Sequence, residues 1–219
     1  MGPKTFFFSV STCVCLTLLW LGYRWSVASK RPYDPLGGIS QEQYDAIEFL
    51  DNVESNQNSN GLIKVLEFID TDGESVSLAD YKDKKNLVVV FTRGFSGRIC
   101  PYCTTQTSRL IANYDEFLQR DTEVLLIYPG STDQLPQFKQ AGLAVAGEES
   151  ILFPVLLDLD LEAVNTLKIA AQLAKPSTFV INKQGNVVLS YVGSNPGDRP
   201  SIKAMLNLLD NLQLQSRES

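Results

Sequence analysis

Two of the chain's four cysteines stand as Cys100-Pro101-Tyr102-Cys103, and the chain contains no histidine. On one helical turn, two thiols at that spacing can close a small disulfide ring without moving the backbone. The missing imidazole removes the Ser–His–Asp triad, the Cys–His dyad and every His-containing zinc site. What remains is chemistry that thiols, carboxylates or lysines do unaided. The quartet follows an apolar run, Leu87–Thr92, and precedes an amphipathic stretch, so the spacing predicts a strand–helix junction with the helix beginning at about Cys103. A helix amino terminus carries about half a positive charge and unpaired N–H groups. Both favour a thiolate on Cys100, and such settings lower a cysteine pKa from about 8.5 to as little as about 3.5. Arg93 and Arg98, on the loop before Cys100, are candidate thiolate-stabilising residues. Cys100 is then the exposed attacker and Cys103 the resolving thiol that breaks a mixed disulfide.

Two other readings of the pair stand beside this one. Half of a zinc site would need a second ligand pair in the same domain, and only Cys100 and Cys103 lie outside the amino-terminal apolar run. A purely structural disulfide is the other, although so short a loop gains little from closure. No metal and no cofactor are expected. Cys13 and Cys15, inside the apolar run, read as small apolar filler.

The elements that must position the pair follow from composition and pattern. With 219 residues, 44% hydrophobic and 20% charged, the chain is long enough for one good core and too apolar for disorder. A formal charge of −6 argues against nucleic acid as a partner. Residues 1–28 read as a signal anchor or signal peptide: no charged side chain falls between Thr5 and Tyr23, with Lys4 before the run and Arg24 after it. The length of the run favours a single membrane span; cleavage after Ala28 would instead release the protein. The flanking charges lean towards a cytosolic domain, whereas a leader on a thiol protein leans towards an extracytoplasmic one. Residues 29–61 read as a linker with a short helix that Ser40 caps and that runs through Leu50.

The main domain is expected over residues 62–215. Strands are predicted at Leu62–Ile69, Leu87–Thr92, Val124–Tyr128 and Ile151–Leu157, and helices at Thr104–Arg120, Asp133–Ala141 and Leu161–Leu173. Ser177–Ile181 and Val187–Val192, joined by Asn182-Lys183-Gln184-Gly185, make a hairpin. Arg199–Leu212 closes the chain as a helix. Alternation first and a hairpin last indicate an α/β sandwich with a mixed central β-sheet flanked by helices.

In order, the stretches Gly73–Tyr81, LVVVFTRG, CPYC, FPVLLDLD and KPSTFVINKQGNVV resemble the thioredoxin-like superfamily, in its peroxiredoxin-related branch of alkyl hydroperoxide reductase and thiol-specific antioxidant proteins. The resemblance implies a thioredoxin-like sandwich and a redox-active Cys100–Cys103 pair. It also implies a groove for a partner's backbone formed by Pro101, Tyr102 and a cis-proline at Pro176. Peroxiredoxins place a proline and a threonine seven and three residues before the peroxidatic cysteine, where this chain has Arg93 and Gly97. They also use an arginine near the start of the strand read here as STFVI, where this chain has Lys175 and Pro176. Nor does Val88-Val89-Val90 supply the buried acid of a thioredoxin site.

Three functions follow. The first is a thiol–disulfide oxidoreductase acting on protein or small-molecule disulfides. The second is a thiol peroxidase, in which a hydroperoxide oxidises Cys100 to a sulfenate that Cys103 resolves. The third is a non-catalytic, membrane-tethered binding domain. Either enzyme needs a thiol electron donor.

Overall fold

The computed structural model describes Asp34, Leu36 and residues 38–58 and 61–218. The segment predicted as anchor or signal, residues 1–28, lies outside the described residues. Among those described, no helix is long and apolar enough to cross a membrane.

The strands are β1 (Glu67–Asp70), β2 (Ser75–Ser77), β3 (Asn86–Phe91), β4 (Thr122–Pro129), β5 (Val155–Asp158), β6 (Ser177–Ile181) and β7 (Val187–Val192). They form one sheet in the order β2-β1-β5-β4-β3-β6-β7. The helices are α1 (Gln41–Asp45), α2 (Pro101–Ala112), α3 (Tyr114–Leu118), α4 (Leu135–Ala146), α5 (Glu162–Thr166) and α6 (Ile202–Glu218). Every residue of β3 and β4 is buried, as continuous apolar runs at the centre of a sheet covered on both faces must be. They pair in parallel, while β6 runs antiparallel to β3 and β7 antiparallel to β6. The mixed sheet predicted from the pattern is therefore present.

Side-chain alternation divides the core into two layers. Val88, Val90, Val124, Leu126 and Tyr128 face one way, against Leu110, Phe117, Phe138 and Met205. Leu87, Val89, Phe91, Leu125 and Ile127 face the other way, against Ile63, Phe68, Val164 and Ile169. Each fully buried aliphatic side chain contributes about 1.5–3 kcal/mol. The frame that carries the thiols is thus held from both sides.

The hairpin has the predicted bounds, and β3 begins one residue earlier than expected. Other predicted elements differ: the strand expected at Ile151–Leu157 runs Val155–Asp158, and the helix expected at Asp133–Ala141 runs Leu135–Ala146. Residues 62–69 are a strand only from Glu67; before it, Ile63–Val65 form a 3₁₀ turn that buries Ile63. The expected helix Thr104–Arg120 breaks at Asn113, whose ψ of 16° leaves the helical range and whose amide donates to the Arg109 carbonyl at 2.8 Å. The expected helix Leu161–Leu173 lasts only from Glu162 to Thr166. Lys168 turns left-handed (φ 56°), and the Ile169 N–H reaches back to the Val164 carbonyl at 3.0 Å. That closing turn drops Ile169 into the core, so its apolar side chain serves a helix stop rather than a longer helix.

Ser40 does cap a helix, with a reciprocal Ser40–Gln43 capping box, but α1 ends at Asp45. Beyond it the chain lies against the domain. The Leu50 N–H donates to the Arg199 carbonyl and the Ser201 N–H to the Leu50 carbonyl, both at 2.8 Å. Further on, the Asn56 side chain pairs with the backbone of Val192 on the edge strand β7, donating at 3.0 Å and accepting at 2.8 Å. An amide side chain thus satisfies an edge that would otherwise invite another chain.

Candidate active site

The site lies past the end of β3, where the chain leaves the sheet and enters α2. Cys100 is the residue capping α2 and Pro101 is its first helical residue. Proline suits that place because its missing N–H would have had no helical partner. Helix α2 thus begins two residues earlier than predicted, and Cys103 falls within its first turn. Both thiols are free. The expected exposure of Cys100 is corrected: it is 7% accessible and Cys103 is 2% accessible. Thr92, Gly94, Phe95, Ile99, Tyr128 and Phe138 wall a very small pocket around the two sulfurs. Gly94 permits that close fit, since it is left-handed (φ +67°) and an added Cβ would fall 2.5 Å from the Pro129 carbonyl oxygen.

Polar groups converge on the sulfurs from three segments. The Arg93 backbone N–H donates to Cys103 Sγ at 3.4 Å, and Arg93 Nη1 lies 3.9 Å from Cys100 Sγ. From the far side, Arg199 Nη2 donates to Cys103 Sγ at 3.1 Å. The Cys100 thiol is held down to about 5, chiefly by hydrogen bonding from the Cys103 thiol. Burial opposes this, while the Cys103 N–H, the charge of Arg199 and a hydrogen bond from the Arg93 side chain assist it. Burial pushes the Cys103 thiol well up, and its hydrogen bond to Cys100 pushes it further. The reduced site therefore carries one negative charge, on Cys100, with a protonated neighbour donating to it.

Among the residues read from sequence, Arg93 meets both sulfurs, whereas Arg98 is exposed and makes none of the hydrogen bonds to them. Tyr102 is 37% exposed and lies against Gly197, where an added Cβ would come within 3.1 Å of its ring. Pro176 is buried at the start of β6, and its carbonyl accepts the Gly193 N–H at 2.8 Å. The cis-proline expected there is corrected, because none of the described peptide bonds is cis. The backbone instead enters the β6–β7 ladder directly, with Ser177 opposite Val192.

Arg199 was not legible as a site residue. In sequence it reads as the first residue of the closing helix, whereas it precedes α6 and is 1% exposed. Its guanidinium also donates to the Gln106 side-chain oxygen and, at 2.8 Å, to the Pro196 carbonyl. Among the described residues it pairs with no carboxylate. The loop that delivers it is pinned by Asp198, which accepts from the Tyr191 hydroxyl and from the Ser194 N–H and hydroxyl. No pattern in the sequence announces a contact made 96 residues along the chain.

A mixed sheet with two thiols at the head of the helix after its central strand defines a thioredoxin-like dithiol protein. Residues 62–190 match the AhpC/TSA family, which is more than half of the chain, so the chain belongs to that family. Two Mycobacterium tuberculosis proteins that bear the name of peroxiredoxins are 27% identical over 130 residues, spanning 55% of this chain and 76% of each relative. The fold is shared with solved peroxiredoxins. Reduced 2-Cys peroxiredoxin of Plasmodium vivax superposes with a TM-score of 0.56 at 20% identity, covering 69% of this chain and 92% of that one. A mutant peroxiredoxin 6 of Arenicola marina gives 0.62 at 16% identity, covering 75% and 76%. Thiol-dependent peroxidase chemistry is what this family membership implies.

Proposed function

We propose that the protein is a thiol peroxidase in which Cys100 attacks a hydroperoxide and Cys103 resolves the product. The observation that carries this reading is the placement of Cys100 at the head of α2 with Arg93 Nη1 3.9 Å from its sulfur, a setting that favours a thiolate. The thiolate sulfur attacks the terminal peroxide oxygen, the O–O bond breaks, and the leaving alkoxide or hydroxide takes up a proton. Cys100 is then a sulfenic acid. Attack by Cys103 forms the S–S bond and releases water. An external thiol donor returns the pair to the dithiol.

Rapid mixing of the reduced protein with hydrogen peroxide tests this directly. A sulfenate trapped in Cys103→Ser and absent from Cys100→Ser is the expected result. Failure of either variant to distinguish itself, with no peroxide consumed by the wild type, rejects it.

A second reading, thiol–disulfide exchange on protein or small-molecule disulfides, is favoured by one observation. Arg93 and Gly97 occupy the positions where peroxiredoxins carry their proline and threonine. Insulin reduction by the dithiol form, without peroxide turnover, would select it. The amino-terminal apolar run keeps its reading as a membrane tether; recovery of the full chain in the alkaline-washed membrane fraction is the expected outcome, and recovery only in the supernatant rejects it.

A further inference from the structure

Resolution poses a problem that Cys100 does not. Cys103 is buried, there is no histidine to accept its proton, and β3 carries no acid beneath it. The groups that face its sulfur are Cys100 at the head of α2, Arg93 on the loop after β3, Tyr128 on β4 and Arg199 after β7. Burial pushes the Tyr128 hydroxyl up to about 12, so it stays protonated and is no base at neutral pH. Arg199 alone brings a full charge within direct hydrogen-bonding distance of that sulfur, at 3.1 Å.

We propose that Arg199 is a catalytic residue for resolution, its guanidinium holding Cys103 as a thiolate once Cys100 has been oxidised or captured. This deepens the peroxidase reading above and rests on it. In the reduced protein burial keeps Cys103 protonated, and its hydrogen bond to Cys100 and the negative charge there add to that, while the Arg199 charge opposes it. Conversion of Cys100 to a sulfenic acid removes that charge and removes the thiolate to which Cys103 was donating. Arg199 is then a buried cation with no carboxylate partner among the described residues, and the Cys103 sulfur is the group that can supply its counter-charge. Cys103 releases its proton, attacks Cys100 Sγ, and the S–O bond breaks. The hydroxide that leaves takes up the released proton as water.

The surroundings fix the guanidinium for this task. Gln106 presents its oxygen to Arg199, while its buried nitrogen has no hydrogen-bond partner. The reversed amide would set donors against donors, so the arginine decides its orientation. The Pro196 and Gln106 oxygens take two nitrogens, leaving Nη2 for sulfur. The Arg199 backbone is tied separately, through Leu50 at 2.8 Å. Arg199 and Leu50 both lie outside the stretch, residues 62–190, that matches the AhpC/TSA family.

Two measurements test it. In rapid mixing with hydrogen peroxide, the full chain shows sulfenate formation followed by ring closure. Arg199→Gln slows closure by about 10- to 100-fold, as loss of a charge-assisted hydrogen bond to the reacting sulfur requires, and slows sulfenate formation less. Arg199→Lys restores part of the closure rate. Closure in Arg199→Gln at the wild-type rate overturns the inference, whereas absence of sulfenate from the wild type overturns the peroxidase reading instead. The second measurement needs no folded Arg199 variant. In Cys100→Ser, alkylation of Cys103 against pH has its midpoint below the free-thiol value of about 8.5. A midpoint above about 9 with Arg199 in place overturns the inference.

Discussion

The two ends of the central strands treat charge in opposite ways. At the amino end of β3 and β4 three cations meet acids. Lys85 pairs with Glu123 at 2.6 Å, Arg120 with Asp210 at 2.7 Å, and Lys183 with Asp121 at 3.0 Å; the Tyr114 hydroxyl also donates to Glu123. At the carboxyl end Arg93 and Arg199 have no acidic partner among the described residues, and each presents one guanidinium nitrogen to a sulfur. Matched charges tie the frame together and do no chemistry. Unmatched cations in a partly dry pocket stabilise whichever sulfur is anionic, which is the property an attacking thiol and then a resolving thiol need in turn.

The comparison breaks most visibly at Cys100. Cys100→Ser is expected to lower peroxide consumption by about a thousandfold or more, because an alcohol at that place is not ionised. At about pH 5, where ionisation of the thiol adds little stability, the urea unfolding midpoint should change little, so activity and stability separate there. The opposite end should show the reverse pattern. Glu123→Ala leaves the Tyr114 hydroxyl and Lys85 without their partner and is expected to cost about 1–3 kcal/mol in urea unfolding. Its rate of sulfenate formation should remain that of the wild type. A loss of reactivity in Glu123→Ala would show that the two ends are not independent.

A third outcome sharpens the electrostatics of the thiol end. Hydrogen bonding from the Cys103 thiol is the largest influence that lowers Cys100. In Cys103→Ala the Cys100 thiol should therefore titrate higher than in the wild type, where it stands at about 5; iodoacetamide rates against pH would show it. The same ionisation links to stability. The folded thiol ionises below the unfolded one, which titrates at about 8.5. The reduced fold thus gains stability as pH rises from about 5 to about 8.5, keeps it above that, and loses it as pH falls. Cys100→Ser should flatten this dependence.

What could be read from the sequence differs between the same two kinds of feature. Local pattern sufficed for the hairpin, where β-rich runs flank Asn182–Gly185, and for β3, whose apolar run admits no other place than a sheet centre. It placed the CPYC quartet at the junction of a strand and a helix, where Cys100 does cap α2. It misled over Leu161–Leu173, where helical spacing continues past Lys168 although the backbone turns left-handed there. Arg199 was beyond reach for a different reason. Its place beside Cys103 depends on the Asp198-pinned loop and on Leu50, contacts between segments far apart in sequence. A charged residue before a helix looks the same whether it ends in water or against a sulfur.

Arg93 and Arg98 make the smallest and sharpest test, since both stand on the loop before Cys100 and sequence alone ranks them equally. Arg93 is half-buried with Nη1 3.9 Å from Cys100 Sγ; Arg98 is exposed and touches neither sulfur. A surface charge in water is screened and contributes little, while one beside a buried sulfur acts through a poorer dielectric. The Arg93 contribution is still the last of those that lower Cys100. Arg93→Met is therefore expected to slow alkylation of Cys100 by about two- to fivefold near its midpoint. Arg98→Met should leave the rate unchanged at every pH, and raising the salt should reduce neither difference to the other. Equal losses in the two variants would mean that the loop acts as a diffuse positive field. In that case the cation without an acid partner would matter for its charge alone, and the distances that separate Arg93 from Arg98 would explain nothing.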